Sequence, residues 1–136
     1  MGSFTLNLLA STQSERFENV ESFIGEDASG YFGLQANHID FMTVLIFGLA
    51  RFRFQNNAWQ YLALPSGLAS FQGNELTIST RYFLIDTDFD KLSKLLEQRA
   101  LQEQETMRST RESLRGMEQL VLKKIREMKR LPDYGL

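Results

Sequence analysis

The chain is expected to be an α+β protein, with an N-terminal β-sandwich of about ten short strands over residues 1–86 and a C-terminal helical hairpin over residues 87–136. Three observations predict this. Apolar and polar residues alternate with a period of two through the first part, and clusters of turn-forming residues divide it at short intervals. After Asp86-Thr-Asp88 the apolar spacing switches abruptly to that of a helix.

Each element has its own warrant. Phe4, Leu6 and Leu8 alternate with Thr5 and Asn7; Ala50, Phe52 and Phe54 with Arg51 and Arg53; Leu76 and Ile78 with Thr77 and Ser79. Such alternation marks strands with one buried face. The breaks fall at Gln55-Asn-Asn57, Pro65-Ser-Gly67 and Gln72-Gly-Asn74, and Gly30 and Gly33 are expected to bracket a further tight connection. Trp59, Tyr61, Phe71, Tyr82 and Phe83 suit pleated surfaces, and the apolar run Val44-Leu-Ile-Phe47 has the length of a strand.

Either Asp86 or Asp88 can cap a helix by accepting from free backbone N–H groups. Phe89, Leu92, Leu96 and Ala100 follow at helical spacing, and Leu114, Met117, Val121, Ile125 and Met128 form a second stripe, stopped by Pro132 and Gly135. Residues 102–113 between them are polar apart from Met107. Ser109-Thr-Arg-Glu112 has the spacing of a capping box, so two helices meeting near residues 106–110 are expected, with one long helix as the competing reading.

Composition narrows the function. The chain has 136 residues, 43% of them hydrophobic, and no cysteine, which excludes disulfides and thiolate metal sites. No apolar run reaches the roughly 18 residues of a membrane helix, and the N-terminus has no basic leader, so a soluble intracellular protein is the default. The charge is divided unevenly. Residues 1–107 hold 7 basic and 13 acidic residues, net −6, whereas residues 108–131 hold 8 basic and 3 acidic, net +5. A basic tail on an acidic body suits an acidic partner surface; a solvated helix face explains it equally well.

Nothing in the sequence assembles a catalytic centre or a metal site. His38 is the only histidine, and Asp40 beside it is a common loop pairing, so a loop-ordering role is expected. Gly30-x-x-Gly33 lacks the Lys-Ser/Thr of a phosphate loop. Asp86, Asp88 and Asp90 lack the glycine and the terminal glutamate of a calcium loop, which leaves them as caps.

Taken together, these motifs resemble the epsilon subunit of F-type ATP synthases over nearly the whole chain. The likeness rests on Gly30-Tyr-Phe-Gly-Leu-Gln-Ala-Asn-His38, the Ser66-Gly67 corner and the Asn74-Glu-Leu-Thr-Ile78 strand. Where the common family has Pro-Gly-His-Ala-Pro, this chain has Ala36-Asn-His-Ile-Asp40. His38-Ile-Asp-Phe41 and Ile78-Ser-Thr-Arg81 are more similar to the alternate branch, the N-type ATPases that move Na+ or H+.

The resemblance implies a non-catalytic rotor subunit at the cytoplasmic face of a bacterial inner membrane. In that family the sandwich grips the γ subunit and rests on the c-ring, and the hairpin folds back or extends among the catalytic α and β subunits, where it blocks hydrolysis. By that likeness Asp27, Ser29, Gly30, Tyr31 and Phe32, with His38, are expected to face the c-ring. Arg108, Arg111, Arg115, Lys123, Lys124 and Arg126 are expected to meet the α and β subunits. Many members bind ATP through an Ile/Leu-Asp-x-x-Arg-Ala motif. Here Phe89-Asp90-Lys-Leu-Ser93-Lys94 keeps only Asp90, and Arg99-Ala100 is out of register, so ATP binding is expected to be weak or absent and no cofactor is implied.

Two other classes compete. One is a sandwich that binds a ligand beneath a helical lid, which needs a pocket with converging polar groups. The other is a nucleic-acid-binding protein using the basic helix. Leu114, Val121 and Ile125 interrupt that basic face, and no aromatic lies between residues 90 and 133.

Overall fold

The computed structural model describes residues 2–54 and 57–129, with helix side chains up to Glu127. Pro132, Gly135, Arg130 and part of the Gln55-Asn-Asn57 turn lie outside the described residues. Nine strands are found there: β1 (Phe4–Leu9), β2 (Ser14–Asp27), β3 (Gly30–Gln35), β4 (Phe41–Leu45), β5 (Gly48–Phe54), β6 (Gln60–Leu64), β7 (Gly67–Gln72), β8 (Glu75–Thr80) and β9 (Leu84–Asp86). A single helix, α1 (Phe89–Lys129), follows them. The chain divides into two compact units, the first ending at Gln98 and the second beginning at Arg99.

The sheet runs in the order β1-β8-β7-β4-β2-β5-β6-β9, with β3 on β2 and a further β1–β2 pairing. Strand β2 is the common member. It pairs with β1 through its first half and with β3 and β5 through its second, and touches β4 only at Asp27↔Leu45. The change of partner coincides with a register shift beside Asn19, which sits at φ 61°. An extra residue in the left-handed region is the bulge device that bends a strand and increases its twist.

The alternation expected from sequence is what packs the sandwich. Phe4, Leu6 and Leu8 point inward, and so do Ala50, Phe52, Leu76 and Ile78, joined by Phe23, Leu34, Leu62 and Phe71. Gly73 (φ 54°) and Asn74 (φ 57°) close the β7–β8 hairpin in a turn that requires two left-handed residues. Asn74 also clasps the β3–β4 loop: its Oδ1 accepts from the Asn37 amide at 2.6 Å, and its Nδ2 donates to Asn37 Oδ1 at 3.1 Å. At Gly67 an added Cβ would lie 2.9 Å from the Ser79 carbonyl, so only glycine permits β7 to approach β8 there.

Three expectations are corrected. Gly30 and Gly33 do not bracket one turn. The turn is Asp27–Gly30, closed by Asp27 accepting from the Ser29 amide, and Gly33 lies within β3 opposite Ile24. Strand β4 ends at Leu45, and Ile46 and Phe47 lie exposed in the connection to Gly48. The hairpin of two helices is one continuous helix.

The reason for continuity is local. Glu, Gln, Arg and Met are strong helix formers, and neither glycine nor proline occurs between Phe89 and Arg115. The Ser109–Glu112 box does not form. Thr110 instead donates back to the Thr106 carbonyl at 2.9 Å, and Arg108 pairs with Glu112 at 3.5 Å along the helix.

The cap expected at Asp86-Thr-Asp88 is Asp88. Its Oδ1 accepts from the Lys91 amide at 3.1 Å, and its carbonyl accepts the Leu92 amide at 3.1 Å. Asp86 supports it by accepting from the Asp88 amide at 3.0 Å, which holds the Asp86 carboxyl below the ordinary carboxylate range, with Lys91 at 3.5 Å adding to the effect. Asp88→Ala is expected to lower stability by about 1 kcal/mol. Urea denaturation of the two proteins measures it, and equal midpoints would show that the cap does not matter.

Candidate functional site

The surface features most able to act are found where the strands leave apolar or turn residues bare. On the outer face of β4 and β7, Met42 (63% exposed), Val44 (61%) and Leu68 (44%) form an apolar patch, with Val44 directly across from Leu68. An open groove beside it is bordered by Ser66, Gly67, Ser79, Thr80 and Arg81. Alternation forces this arrangement: Leu45, Ala69 and Phe71 take the inward positions, so their neighbours face out. A contiguous bare patch of large apolar side chains, rimmed by hydroxyls and a cation, is the kind of surface on which proteins dock.

The Asp27–Gly30 turn is more polar. The Asp27 carboxylate accepts from the Ser29 hydroxyl at 2.5 Å, the Ser29 amide at 2.8 Å and the Thr43 hydroxyl at 2.7 Å. Those donors, the Ser29 hydroxyl first, hold its carboxyl below the ordinary range. Because the folded value is the lower one, the turn's contribution is complete above the unfolded carboxylate's range and is lost as pH falls. A stability gap between wild type and Asp27→Asn is therefore expected at neutral pH and closes below about pH 4. A gap that persists in acid would contradict this.

Gly30 has φ 124°, with open space where a Cβ would be. Tyr31 projects outward at 77% exposure, and a hydrogen bond with Glu26 pushes its phenol up. Phe32 is anchored at 5.3 Å from Phe41 and 6.3 Å from Phe23.

His38 is not brought to that turn. It follows the opposite end of β3, roughly 17 Å along the strand from Gly30 at about 3.3 Å per residue. Its Nδ1–H donates to the Ile39 carbonyl at 2.8 Å, and its ring stands edge-on to Phe41 and Phe71, 5.9 Å from each. This geometry orders the loop. Asp90 lies exposed in the first turn of α1, where an acidic residue suits the helix dipole. Arg108, Arg111, Arg115, Lys123, Lys124 and Arg126 are all exposed along α1.

One feature left no signal in the sequence. Trp59 has the guanidinium groups of both Arg51 and Arg53 over its ring, at 4.7 and 4.8 Å. Beside it lies an open groove of about 540 Å³ lined by Ile24, Tyr31, Leu49, Arg51, Tyr61 and Phe89. Its walls are mostly apolar, with Arg51 the one charged side chain. Among the described residues, no three His, Cys, Asp or Glu side chains stand close enough to hold a metal ion. No helix among them is long and apolar enough to cross a membrane.

Fold and surfaces together define a class, a β-sandwich with a bare apolar face, followed in the chain by a cationic helix. Residues 3–84 match the family described as the ATP synthase delta/epsilon chain, β-sandwich domain, and the chain belongs to that family. The "ATP synthase epsilon chain 2" of Cereibacter sphaeroides is 31% identical over 121 residues, 88% of this chain and 83% of that protein. The "ATP synthase epsilon chain 2" of Paraburkholderia xenovorans is 30% identical over 79% of this chain and 80% of its own length. A chain from the Euglena gracilis mitochondrial ATP synthase aligns with TM-score 0.58 at 20% identity, over 72% of this chain and 64% of that one. Another, from the central stalk and c-ring of the Tetrahymena thermophila enzyme, gives TM-score 0.53 at 13% identity, over 61% and 66%. At such identities the two structures speak for the fold.

Proposed function

We propose that this chain is the rotor epsilon subunit of a bacterial F-type ATP synthase of the N-type branch, a non-catalytic part of that complex at the cytoplasmic face of the inner membrane. The observation that carries the reading is the bare Met42–Val44–Leu68 face on a sandwich of this family. That face is the γ-docking surface: it is apolar and presented by two paired strands, so it buries against a partner without moving. The Asp27–Gly30 turn, prefolded by its own hydrogen bonds, meets the polar loops of the c-ring with Tyr31 and Phe32. His38 holds the loop at the far end of β3. The basic residues of α1, from Arg108 to Arg126, meet acidic surfaces of the α and β subunits and restrain hydrolysis. Asp90 alone does not make an ATP site.

The test is Val44→Asp in the assembled complex. Val44 is exposed, so the fold persists, while a buried unpaired carboxylate weakens docking by at least about tenfold. Loss of co-purification with the γ subunit is expected. Normal recovery of the complex would overturn the assignment of this face.

A further inference from the structure

We propose that the outward face of β2, β5 and β6 is a binding site for a free single-chain carboxylate of medium length, with its tail in the groove beside Trp59 and its headgroup on Arg51. The inference goes beyond the rotor reading and does not depend on it.

Strand register builds the site. Ile24 of β2 and Tyr61 of β6 stand on either side of Arg51 of β5, in one row across three strands. Tyr61 meets Phe89 edge-on at 5.3 Å, and Leu49 and Tyr31 complete the groove of about 540 Å³. That volume falls in the range of small-molecule sites, and apolar and aromatic walls are what such sites use. Every one of these residues belongs to the first compact unit, so the site is formed within it.

Charge selects the headgroup. Residues 1–98 carry 11 acidic against 6 basic side chains, yet two of the six crowd one indole, the Arg51 and Arg53 guanidiniums lying 4.7 and 4.8 Å from the centre of the Trp59 ring. They are therefore within about 10 Å of each other, close enough to repel in ordinary salt. The carboxylates around them are engaged elsewhere or held loosely. Glu26 holds the Tyr31 phenol, and Asp86 pairs with Lys91 at 3.5 Å. Glu21 reaches Arg53 only at 3.9 Å, and the Arg53 Nε is buried without a hydrogen-bond partner. Among the described residues, no carboxylate stands within ion-pair distance of Arg51. Stacking on Trp59 uses the face of that guanidinium and leaves its edge donors for the two parallel bonds a carboxylate accepts. A monoanion with an apolar tail answers both features. An inorganic anion has nothing to place in the groove, and an uncharged amphiphile leaves Arg51 unanswered.

Trp59 is the only tryptophan, so its emission reports on the site directly. Titrating the full chain with octanoate is expected to give a saturable change in that emission, with a dissociation constant at or below about 1 mM. Octanol carries the tail without the charge, and butanoate the charge with half the tail. Each is expected to bind at least about tenfold more weakly. Arg51 is exposed, so Arg51→Gln is expected to leave thermal unfolding unchanged while weakening octanoate at least about tenfold. Uptake by the bare apolar residues of α1 would show no such dependence. Absence of a saturable change up to about 10 mM octanoate overturns the proposal. So does equal binding of octanol or of butanoate, or an Arg51→Gln protein that binds octanoate as tightly as wild type.

Discussion

Replacing Phe71 by alanine is expected to remove about 3–5 kcal/mol of stability, a large fraction of the 5–15 kcal/mol typical of a domain. Phe71 is fully buried on β7, where it faces Phe41 of β4 on one side and Leu76 of β8 on the other. Its ring stands edge-on to Phe4 at 5.6 Å and to His38 at 5.9 Å. Truncation therefore opens a cavity where three strands meet and also removes the platform on which the His38 loop rests. Phe71→Leu keeps most of the volume and is expected to lose less than half as much. Chemical denaturation measures both. A loss of less than about 1 kcal/mol for Phe71→Ala would mean that the core does not close around this ring.

Shortening the chain has an effect that depends sharply on where it is cut. Leu92 (1% exposed) and Leu96 (3%) pack with Ala63 and Tyr82 in a second buried cluster, flanked by Leu49, Tyr61 and Leu84, and Phe89 meets Tyr61 edge-on at 5.3 Å. The first turns of α1 thus belong to the sandwich's own unit, which runs to Gln98. A chain ending at Thr87 loses both leucines and is expected to be destabilised by roughly 4 kcal/mol or more, since a buried leucine truncated to alanine alone loses 2–5. A chain ending at Gln98 keeps them and is expected to unfold with an unchanged midpoint. The second cut is therefore the one with which to examine regulation. In the assembled complex it is expected to leave assembly intact and to raise ATP hydrolysis. Identical denaturation of the two truncated chains would contradict the packing. Unchanged hydrolysis would remove only the inhibitory role.

Much of the sandwich was legible because its strands bury one face and wet the other, which writes a period of two into Phe4–Leu9 and Glu75–Thr80. The Gly73-Asn74 turn and the Asp88 cap were legible because each depends on chemistry local to a few residues. The length of α1 was not. A capping-box spacing at Ser109 is a local cue, and it lost to a run of good helix formers with no breaker. The outward apolar face was hidden for another reason. Phe41–Leu45 is apolar at every position but Thr43, so alternation has no contrast, and only pairing with β7 decides that Met42 and Val44 face outward. The approach of two arginines to Trp59 depends on folding that no spacing announces.

The β1–β8 ladder has a consequence for biogenesis. Thr5 lies beside Glu75, and Leu9 beside Ser79, in parallel register. One edge of β1 is met early by β2, but the other must wait for a partner made seventy residues later. Closure by so distant a match is slow, because a long loop must be ordered before any contact rewards it. Until then Phe4–Leu9 can pair only with β2 and carries one open edge, the kind of edge that sticks to its neighbours on a polysome. Synthesis arrested before Ser79 yields a chain that cannot complete its first sheet, whatever else it has already made.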